Sequence, residues 1–286
     1  MKSPKSASGK ELCVILPFHN RRLITERLVR CLASQTFQDF HLVLIDDGST
    51  DHSAQMALSY FPQATLISGK GNWWWAGSLQ QGYKWIRKQN IPDQTKILIL
   101  NDDVEFGPDF LKTGASLLDQ NSGTLILAKS FSRFDSTLQD SGVKVDWKTL
   151  TFSLANNPEE INVLATRGLF LHKSTFEKIG GFHPILIPHY QSDYEFTHRA
   201  YRKGLSLKTF NSLFLFEDPQ QTGLRSQSIT NIKGFLKKYF SKRSTSHLIS
   251  WISFILLASP WRWKARNIAT ILRALVSDFL TAIKSK

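Results

Sequence analysis

The chain has 286 residues, of which 42% are hydrophobic and 21% are charged. This balance indicates a globular protein and excludes a disordered one, and the length suits one or two domains. Two cysteines, Cys13 and Cys31, are too few for a disulfide scaffold or a cysteine-rich zinc site. The first ten residues are polar and basic, and no signal peptide is evident, so we expect a protein made and kept in the cytoplasm.

Positive charge is concentrated at the end of the chain. The formal net charge is +13, and the segment from Lys233 to Lys286 holds eleven basic residues and one acidic residue. The tail therefore carries +10, and the first 232 residues carry +3. A basic tail of this kind is typical of proteins that bind nucleic acid, an anionic membrane surface or an acidic partner.

Strands and helices alternate in the first hundred residues. Short apolar runs at residues 12–16, 41–45, 65–67 and 96–100 predict buried strands. Helical spacing of apolar residues predicts helices at residues 23–33, 53–60 and 75–88, and Pro62 ends the second of them. This alternation predicts an α/β fold with βαβ units and a mostly parallel central sheet. Further along, we expect a helix ending near residue 181, a helix over residues 192–203 and a strand over residues 205–216.

The tail is predicted to be helical. Residues 248–258 are apolar throughout, but as a helix they would reach only about 16 Å, against a hydrocarbon core of about 30 Å. From residue 268 to 283 the apolar residues form one stripe. These helices either pack on the body of the protein or lie at a membrane interface, where Trp251, Trp261, Arg262 and Trp263 would be favoured.

Acidic clusters follow two of the predicted strands. Asp46 and Asp47 follow the second strand, and Asp102 and Asp103 follow the fourth, after Asn101. In open α/β sheets, ligands bind at the carboxyl ends of the strands. The first cluster suits a ribose hydroxyl or a base N–H group, and the second suits a divalent cation that bridges a diphosphate. Each cluster alone is also compatible with an ordinary capped turn.

Two further segments carry polar or aromatic side chains suited to a binding or catalytic site. Residues 69–77 combine glycines, which allow close approach of a ligand, with the start of a helix, which favours anions. The tryptophans there could line a sugar site or fill the core. On the helix over residues 192–203, Asp193 and Glu195 point about 200° apart. One of them could act as a general base while the other holds Arg199, although a surface helix with an ion pair is the alternative.

Taken in order, these motifs resemble those of a known family. PFHN occupies residues 17–20, and it is followed by DDGSTDHS at 46–53, GNWWWAGS at 71–78, LNDDV at 100–104, IGGF at 179–182 and SDYEF at 192–196. This order is similar to that of the family 2 glycosyltransferases, which have a GT-A fold. Asn101, in place of the first acid of the DxD-like motif, resembles the rhamnosyltransferase-like members. The resemblance runs from about residue 12 to 204, with weaker support to about residue 223, and implies a GT-A domain over residues 11–225. The charge and apolar pattern of the tail predict a basic, amphipathic helical region over residues 226–286.

The resemblance also implies an activity and roles for individual residues. It implies inverting transfer of a sugar from a nucleoside diphosphate sugar, with Mg²⁺ or Mn²⁺, to a glycan or lipid-linked saccharide in the synthesis of polysaccharide or cell-surface glycan. The implied donor-binding residues are Pro17, Asn20, Asp46, Asp47, Asn72, Gly77 and Asp102. Asp103, with Asp102, would hold the metal, Asp193 would be the catalytic base, and Trp74, Trp75 and Glu195 would lie on the acceptor side.

The sequence departs from the family pattern near the end of the domain. Many relatives have a metal-ligating histidine there, whereas this chain has Glu217 and Asp218, either of which could supply an oxygen ligand. One alternative is therefore a catalytically inactive glycan- or nucleotide-binding protein on the same fold. A sugar-nucleotidyltransferase is disfavoured because no glycine-rich loop follows the first strand, and a nucleic-acid binder because the tail has no evident reading motif. We expect the tail to hold the enzyme at the inner face of the plasma membrane.

Overall fold

The computed structural model describes residue 7, residues 9–219 and residues 231–284. The strands in these residues are β1 (Leu12–Phe18), β2 (Phe40–Asp46), β3 (Thr65–Ser68), β4 (Lys96–Ile99), β5 (Val104–Glu105), β6 (Thr124–Ser132), β7 (Leu138–Asp140), β8 (Val143–Asp146), β9 (Thr151–Leu154), β10 (Leu169–His172) and β11 (Ser206–Glu217). The helices are α1 (Arg22–Ala33), α2 (Ser53–Tyr60), α3 (Trp74–Lys88), α4 (Phe110–Gln120), α5 (Lys173–Ile179), α6 (Ser192–Arg202), α7 (Ile232–Phe240), α8 (Leu248–Ala258) and α9 (Trp261–Lys284).

A single large sheet organises the described part of the chain. Its strand order is β3-β2-β1-β4-β10-β6-β11-β5, with β7 beside β6, while β8 and β9 form a separate hairpin. The pairs β1–β2, β2–β3, β1–β4 and β6–β11 are parallel, and β10 runs antiparallel between β4 and β6. The sheet is therefore mostly parallel and is flanked by helices, so the predicted α/β class is confirmed. Ile15 of β1 pairs with Val43 and with Ile99, which brings the ends of β1, β2 and β4 to one edge.

The core has a layer on each face of this sheet. Successive residues of a strand point to opposite faces, so Ile15 joins the layer under α3, α5 and α6, while Leu16 joins the layer under α1, α2 and α4. Both faces are covered, which explains why β1 and β2 are buried along their whole lengths. Packing is close at Gly114 of α4, where an added Cβ would lie 2.2 Å from the Phe170 ring.

The predicted elements agree with the observed ones within a few residues, and two of them, residues 53–60 and 248–258, agree at both ends. The first strand is longer than predicted, because β1 continues through Pro17 to Phe18. Beyond Ile15, β1 pairs only with β2, so Pro17 lies where one side of the strand needs no ladder hydrogen bond. The helices α4 and α7 were not predicted.

The tail helices are layered on the domain. Phe254 of α8 is buried against Trp147 and Phe152, so α8 follows the packing alternative. α9 packs outside α8 and also contacts α7 through the Phe235 and Phe279 rings, 5.3 Å apart. None of the helices in the described ranges is long and apolar enough to cross a membrane. The predicted domain boundary near residue 225 lies outside the described residues.

Candidate functional site

The carboxylate of Asp47 binds the loop that precedes α3. Its Oδ1 accepts hydrogen bonds from the N–H groups of Gly71 and Asn72 (2.9 and 3.1 Å), and its Oδ2 from those of Trp73 and Trp74 (2.8 and 3.1 Å). Gly48 permits this approach, because an added Cβ would lie 2.7 Å from the Gly71 nitrogen. The start of α3 was predicted to favour an anionic ligand. The structure corrects this, because Asp47 already supplies the negative charge there.

The remaining nucleotide-side residues join the ends of β1 and β2. Asn20 has a φ of 50°, and its Oδ1 accepts a hydrogen bond from the Thr50 N–H group at 2.7 Å. Its own N–H group donates to Ser49 Oγ at 3.0 Å, and the buried Asp46 accepts from the Ser49 N–H group at 2.8 Å. The chain after β1 and the loop after β2 therefore form one hydrogen-bonded edge.

Two other predicted donor residues lie in and beside the loop before α3. The Asn72 side chain is exposed, whereas Gly77 is buried and an added Cβ there would lie 3.0 Å from Trp73 Cβ. Gly77 therefore lets Trp73 pack against α3, and Pro17 is likewise buried within β1. Of these three residues, Asn72 alone exposes its side chain to a ligand.

An arginine binds both acids of the DxD-like motif. The guanidinium of Arg21 lies 2.7 Å from Asp102 Oδ1 and 3.1 Å from Asp103 Oδ2. The Thr25 hydroxyl donates to Asp102 Oδ2 at 3.2 Å. Burial raises the pKa of Asp102 to about 7; Arg21 opposes that rise and the neighbouring Asp103 carboxylate adds to it. Arg21 was not among the predicted residues, and its two partners lie 81 and 82 positions further along the chain.

Oxygen atoms suited to a divalent cation are present at this motif. Asn101 Oδ1 and Asp103 Oδ1 are buried and have no hydrogen-bond partner in the described residues. Carboxylate and amide oxygens are the ligands that hard cations prefer, so the residues fit such an ion. However, the described part of the chain contains no cluster of three or more His, Cys, Asp or Glu residues that could hold a metal ion. A cation here would therefore take its remaining ligands from phosphate or water.

Glu217 and Asp218, the predicted substitutes for the missing histidine, are buried. Glu217 is buried, forms an ion pair with Arg167 and accepts a hydrogen bond from the Ser130 hydroxyl at 2.9 Å. Asp218 is also buried. Arg167 already neutralises Glu217, and neither residue belongs to a metal cluster in the described ranges. The structure therefore gives no support to Glu217 or Asp218 as a metal ligand.

Asp193 lies in the first turn of α6 and is bound by Trp75 from the first turn of α3. Trp75 Nε1–H donates to Asp193 Oδ1 at 2.8 Å, and the Ser192 hydroxyl donates to the same oxygen at 3.2 Å. Burial raises the pKa of this carboxyl, against the lowering effect of its hydrogen-bond donors. The residue as a whole is nevertheless half-buried rather than fully enclosed. A carboxylate with a raised pKa is suited to accept a proton from a bound hydroxyl.

Glu195, on the same helix, binds an arginine. It is buried, and both of its oxygens accept hydrogen bonds from Arg199 at 2.9 Å. Arg199 also donates to the carbonyl oxygens of Ile179 and Gly181, which fixes the turn after α5. Of the two carboxylates, Glu195 is therefore the one that pairs with Arg199. Glu195 was predicted on the acceptor side; in the structure its carboxylate is buried against Arg199.

A loop of the tail also contacts the site. The guanidinium of Arg243, between α7 and α8, lies over the Trp74 ring at 5.8 Å from its centroid. On the other side of the same loop, the Thr245 carbonyl oxygen accepts a hydrogen bond from Gln191 Nε2 at 3.0 Å. Gln191 is two residues before Asp193. The tail therefore forms part of the wall beside Trp74, a role that its charge alone did not indicate.

Comparison with known proteins identifies the family. Residues 13–180, more than half of the chain, match the model of the family described as Glycosyl transferase family 2. The chain belongs to this family. A search of curated proteins finds no match.

Solved structures confirm the GT-A fold. TarS residues 1–349 from S. aureus in complex with UDP-GlcNAc superpose with a TM-score of 0.58 at 18% identity, covering 94% of this chain and 72% of that one. The mannosyltransferase PcManGT from Pyrobaculum calidifontis, in complex with GDP-Man and Mn²⁺, gives 0.58 at 13% identity, covering 99% and 76%. GalNAc-T7 with UDP, GalNAc and Mn²⁺ gives 0.60 at 11%, covering 98% and 58%. The chain spans 43% of the longer TarS chain. At these identities the likeness is one of fold.

Proposed function

We propose that the protein is an inverting glycosyltransferase that uses a nucleoside diphosphate sugar. The observation that carries this proposal is a chain of contacts between the nucleotide edge and the candidate base. Asp47, at the end of β2, binds the N–H groups of Trp73 and Trp74, and the next residue, Trp75, binds Asp193. A carboxylate suited to proton transfer is thus held beside the strand ends at which α/β folds bind nucleotides.

The donor side is formed by the edge that joins β1, β2 and β4. We assign Asp46, Asn20 and the exposed Asn72 to nucleotide binding, with Asp47 holding the loop in place. The related folds of TarS and PcManGT, solved with UDP-GlcNAc and GDP-Man respectively, support a nucleoside diphosphate sugar as the donor class. We assign the reaction to the hexosyl or rhamnosyl transferases, and Asn101 in the DxD-like motif resembles the rhamnosyltransferase-like members.

Asp193 performs the proton transfer in this proposal. Its carboxylate takes the proton of the acceptor hydroxyl as that oxygen attacks the anomeric carbon. The bond from the anomeric carbon to the diphosphate breaks on the opposite face, so the configuration inverts and no covalent enzyme intermediate forms. A divalent cation, Mg²⁺ or Mn²⁺, held by Asp102 and Asp103 would stabilise the charge of the departing diphosphate. Trp75 and Ser192 keep the Asp193 carboxylate oriented through their hydrogen bonds.

We further propose that the acceptor is a glycan or lipid-linked saccharide used in cell-surface polysaccharide synthesis, at the cytoplasmic face of a membrane. Trp74 is half-buried, and with Arg243 over its ring it offers an aromatic side chain for a sugar and a cation for an acidic group. Cys13 and Cys31 are unpaired, in keeping with a reducing compartment.

Replacement of the proposed base tests the reaction. Asp193→Asn should lower turnover by about 100-fold to 10,000-fold, because a general base contributes about that much. Donor binding should persist in this variant. Asp135→Asn, at an exposed turn, is the matched control and should keep full turnover. An Asp193→Asn enzyme with normal turnover would exclude this base, and a wild-type protein without turnover on any acceptor would favour the inactive binding protein.

A thermal-shift panel identifies the donor. UDP, dTDP, GDP and CDP are each added with and without Mn²⁺ or Mg²⁺. A nucleotide at 100 times its dissociation constant stabilises the fold by about 2.7 kcal/mol. We expect one nucleotide to stabilise the protein far more than the others, and to do so best with a divalent cation. If none of them stabilises the protein, the assignment of a nucleotide site is wrong.

A further inference from the structure

The outer helices of the tail expose two apolar stripes. On α9, Leu272, Val276, Phe279 and Ile283 are each between 42% and 54% exposed. Their spacings of four, three and four residues place them in one line along the helix. On α7, Ile232, Leu236 and Phe240 are 40% to 53% exposed and follow one another at every fourth residue.

The two helices that carry the stripes pack against each other. Phe279, in the α9 stripe, contacts Phe235 of α7, which is the sequence neighbour of Leu236. Trp261, at the start of α9, is 87% exposed and lies eleven residues before Leu272, which returns it to the same face. Large apolar side chains that are exposed together on one helix face are typical of a binding surface.

Cations border both stripes. Lys233 and Lys237 each follow a stripe residue of α7, and Arg273 follows Leu272 on α9. Lys284 lies eleven residues after Arg273, on the same side of the helix. No ion pair joins these four cations to a carboxylate in the described residues. The single acid of the tail, Asp278, is bound by Lys238 at 2.6 Å and by the Tyr239 hydroxyl at 2.7 Å. Apart from Asp278, every charged residue of α7 and α9 is therefore a cation.

We propose that this face of α7 and α9 docks on an anionic lipid bilayer. Apolar side chains flanked by lysine and arginine suit the boundary between acyl chains and anionic headgroups. The charge argues against a second copy of the chain, because two such faces would bring like charges together without counter-charges. At about 36 Å, α9 would lie along the surface. Docking would also place the Arg243 loop, and with it the wall beside Trp74, close to the bilayer.

Vesicle co-sedimentation of the full chain tests this surface. The vesicles contain equal parts of phosphatidylglycerol and phosphatidylcholine, or phosphatidylcholine alone. We expect binding to the anionic vesicles that weakens in high salt, and little binding to the neutral ones. In a triple variant, Lys237→Gln, Arg273→Gln and Lys284→Gln, the partition coefficient should fall about 100-fold, since each basic residue contributes about fivefold. Val276→Ser with Ile283→Ser should lower it on the order of tenfold.

Matched controls use exposed residues of the domain. Lys84→Gln, Lys88→Gln and Lys112→Gln remove the same charge from α3 and α4 and should leave vesicle binding unchanged. Unfolding curves of each variant confirm that the fold is intact. The proposal is overturned if the full chain does not bind anionic vesicles, or if the control variants lose as much vesicle binding as the tail variants. It is also overturned if sedimentation shows a dimer that the two serine substitutions dissociate while vesicle binding is absent. None of these measurements depends on turnover.

Discussion

The position of Arg21 predicts that this side chain and a divalent cation compete for the same carboxylates. In the structure, its guanidinium neutralises Asp102 and Asp103, whose side chains are 6% and 5% exposed. Breaking a buried ion pair costs about 3–5 kcal/mol, and the 29% exposure of the Arg21 side chain favours the lower end, about 3 kcal/mol. Arg21→Ala should therefore lower the melting temperature in EDTA by about 6–12 °C, at about 2–4 °C per kcal/mol.

Mn²⁺ should reverse this loss. In the Arg21→Ala variant the two carboxylates lack a counter-charge, so the cation should bind more tightly than to the wild type and restore most of the melting temperature. Isothermal titration of Mn²⁺ without nucleotide measures the affinity directly. Arg27→Ala, which removes a partly exposed arginine of α1 that lies 3.8 Å from Glu105 of β5, is the control and should change neither value. Equal Mn²⁺ affinity in the wild type and in Arg21→Ala would refute the competition.

Two further predictions concern the contacts on either side of the site. Asp47→Ala leaves four N–H groups at the start of α3 without their acceptor, so the free energy of unfolding should fall by about 2–4 kcal/mol in denaturant. Asp47→Asn should cause a smaller loss. An unchanged denaturation midpoint for Asp47→Ala would contradict this role. Because a general base must be ionised and burial raises the pKa of Asp193, turnover should fall as the pH drops through a value above the ordinary 3.8 of an aspartate. Trp75→Phe removes a donor that lowers that pKa, so the acid limb of the kcat profile should move to higher pH, and a limb that stays in place would show that Trp75 does not act on Asp193.

Local sequence patterns were sufficient to predict much of the fold. The runs at residues 12–16 and 41–45 are apolar at every position because both faces of β1 and β2 are buried. In the same way, α2 and α8 agree with their predicted bounds because a clear apolar pattern ends at a proline nearby. The strand β10 was harder to predict. It enters between β4 and β6 in the opposite direction, an arrangement fixed by pairing between residues some 70 positions apart, such as Leu169 and Ile99.

The contacts in the candidate site could not be predicted from sequence patterns alone. The helical spacing predicts that Asp193 and Glu195 point in different directions, but it does not show which of them pairs with Arg199. That choice depends on the carbonyl groups that Arg199 binds after α5. The motif predicts that Asp47 contacts a ligand, yet in the structure its carboxylate binds the backbone N–H groups of residues 71–74. Arg21 gives no local signal, because an arginine after PFHN is unremarkable until the ends of β1 and β4 are brought together.

The relation between the tail and the site follows from the same long-range contacts. The sequence divides the chain by charge near residue 225, with +10 of the net +13 after residue 232. The structure joins the two parts again, since Thr245 holds Gln191 at the start of α6 and Arg243 covers Trp74 at the start of α3. Both of these helix starts also carry the Trp75–Asp193 hydrogen bond. A force that moves the tail, such as docking on a bilayer, would therefore act on the two helix ends that orient the proposed base.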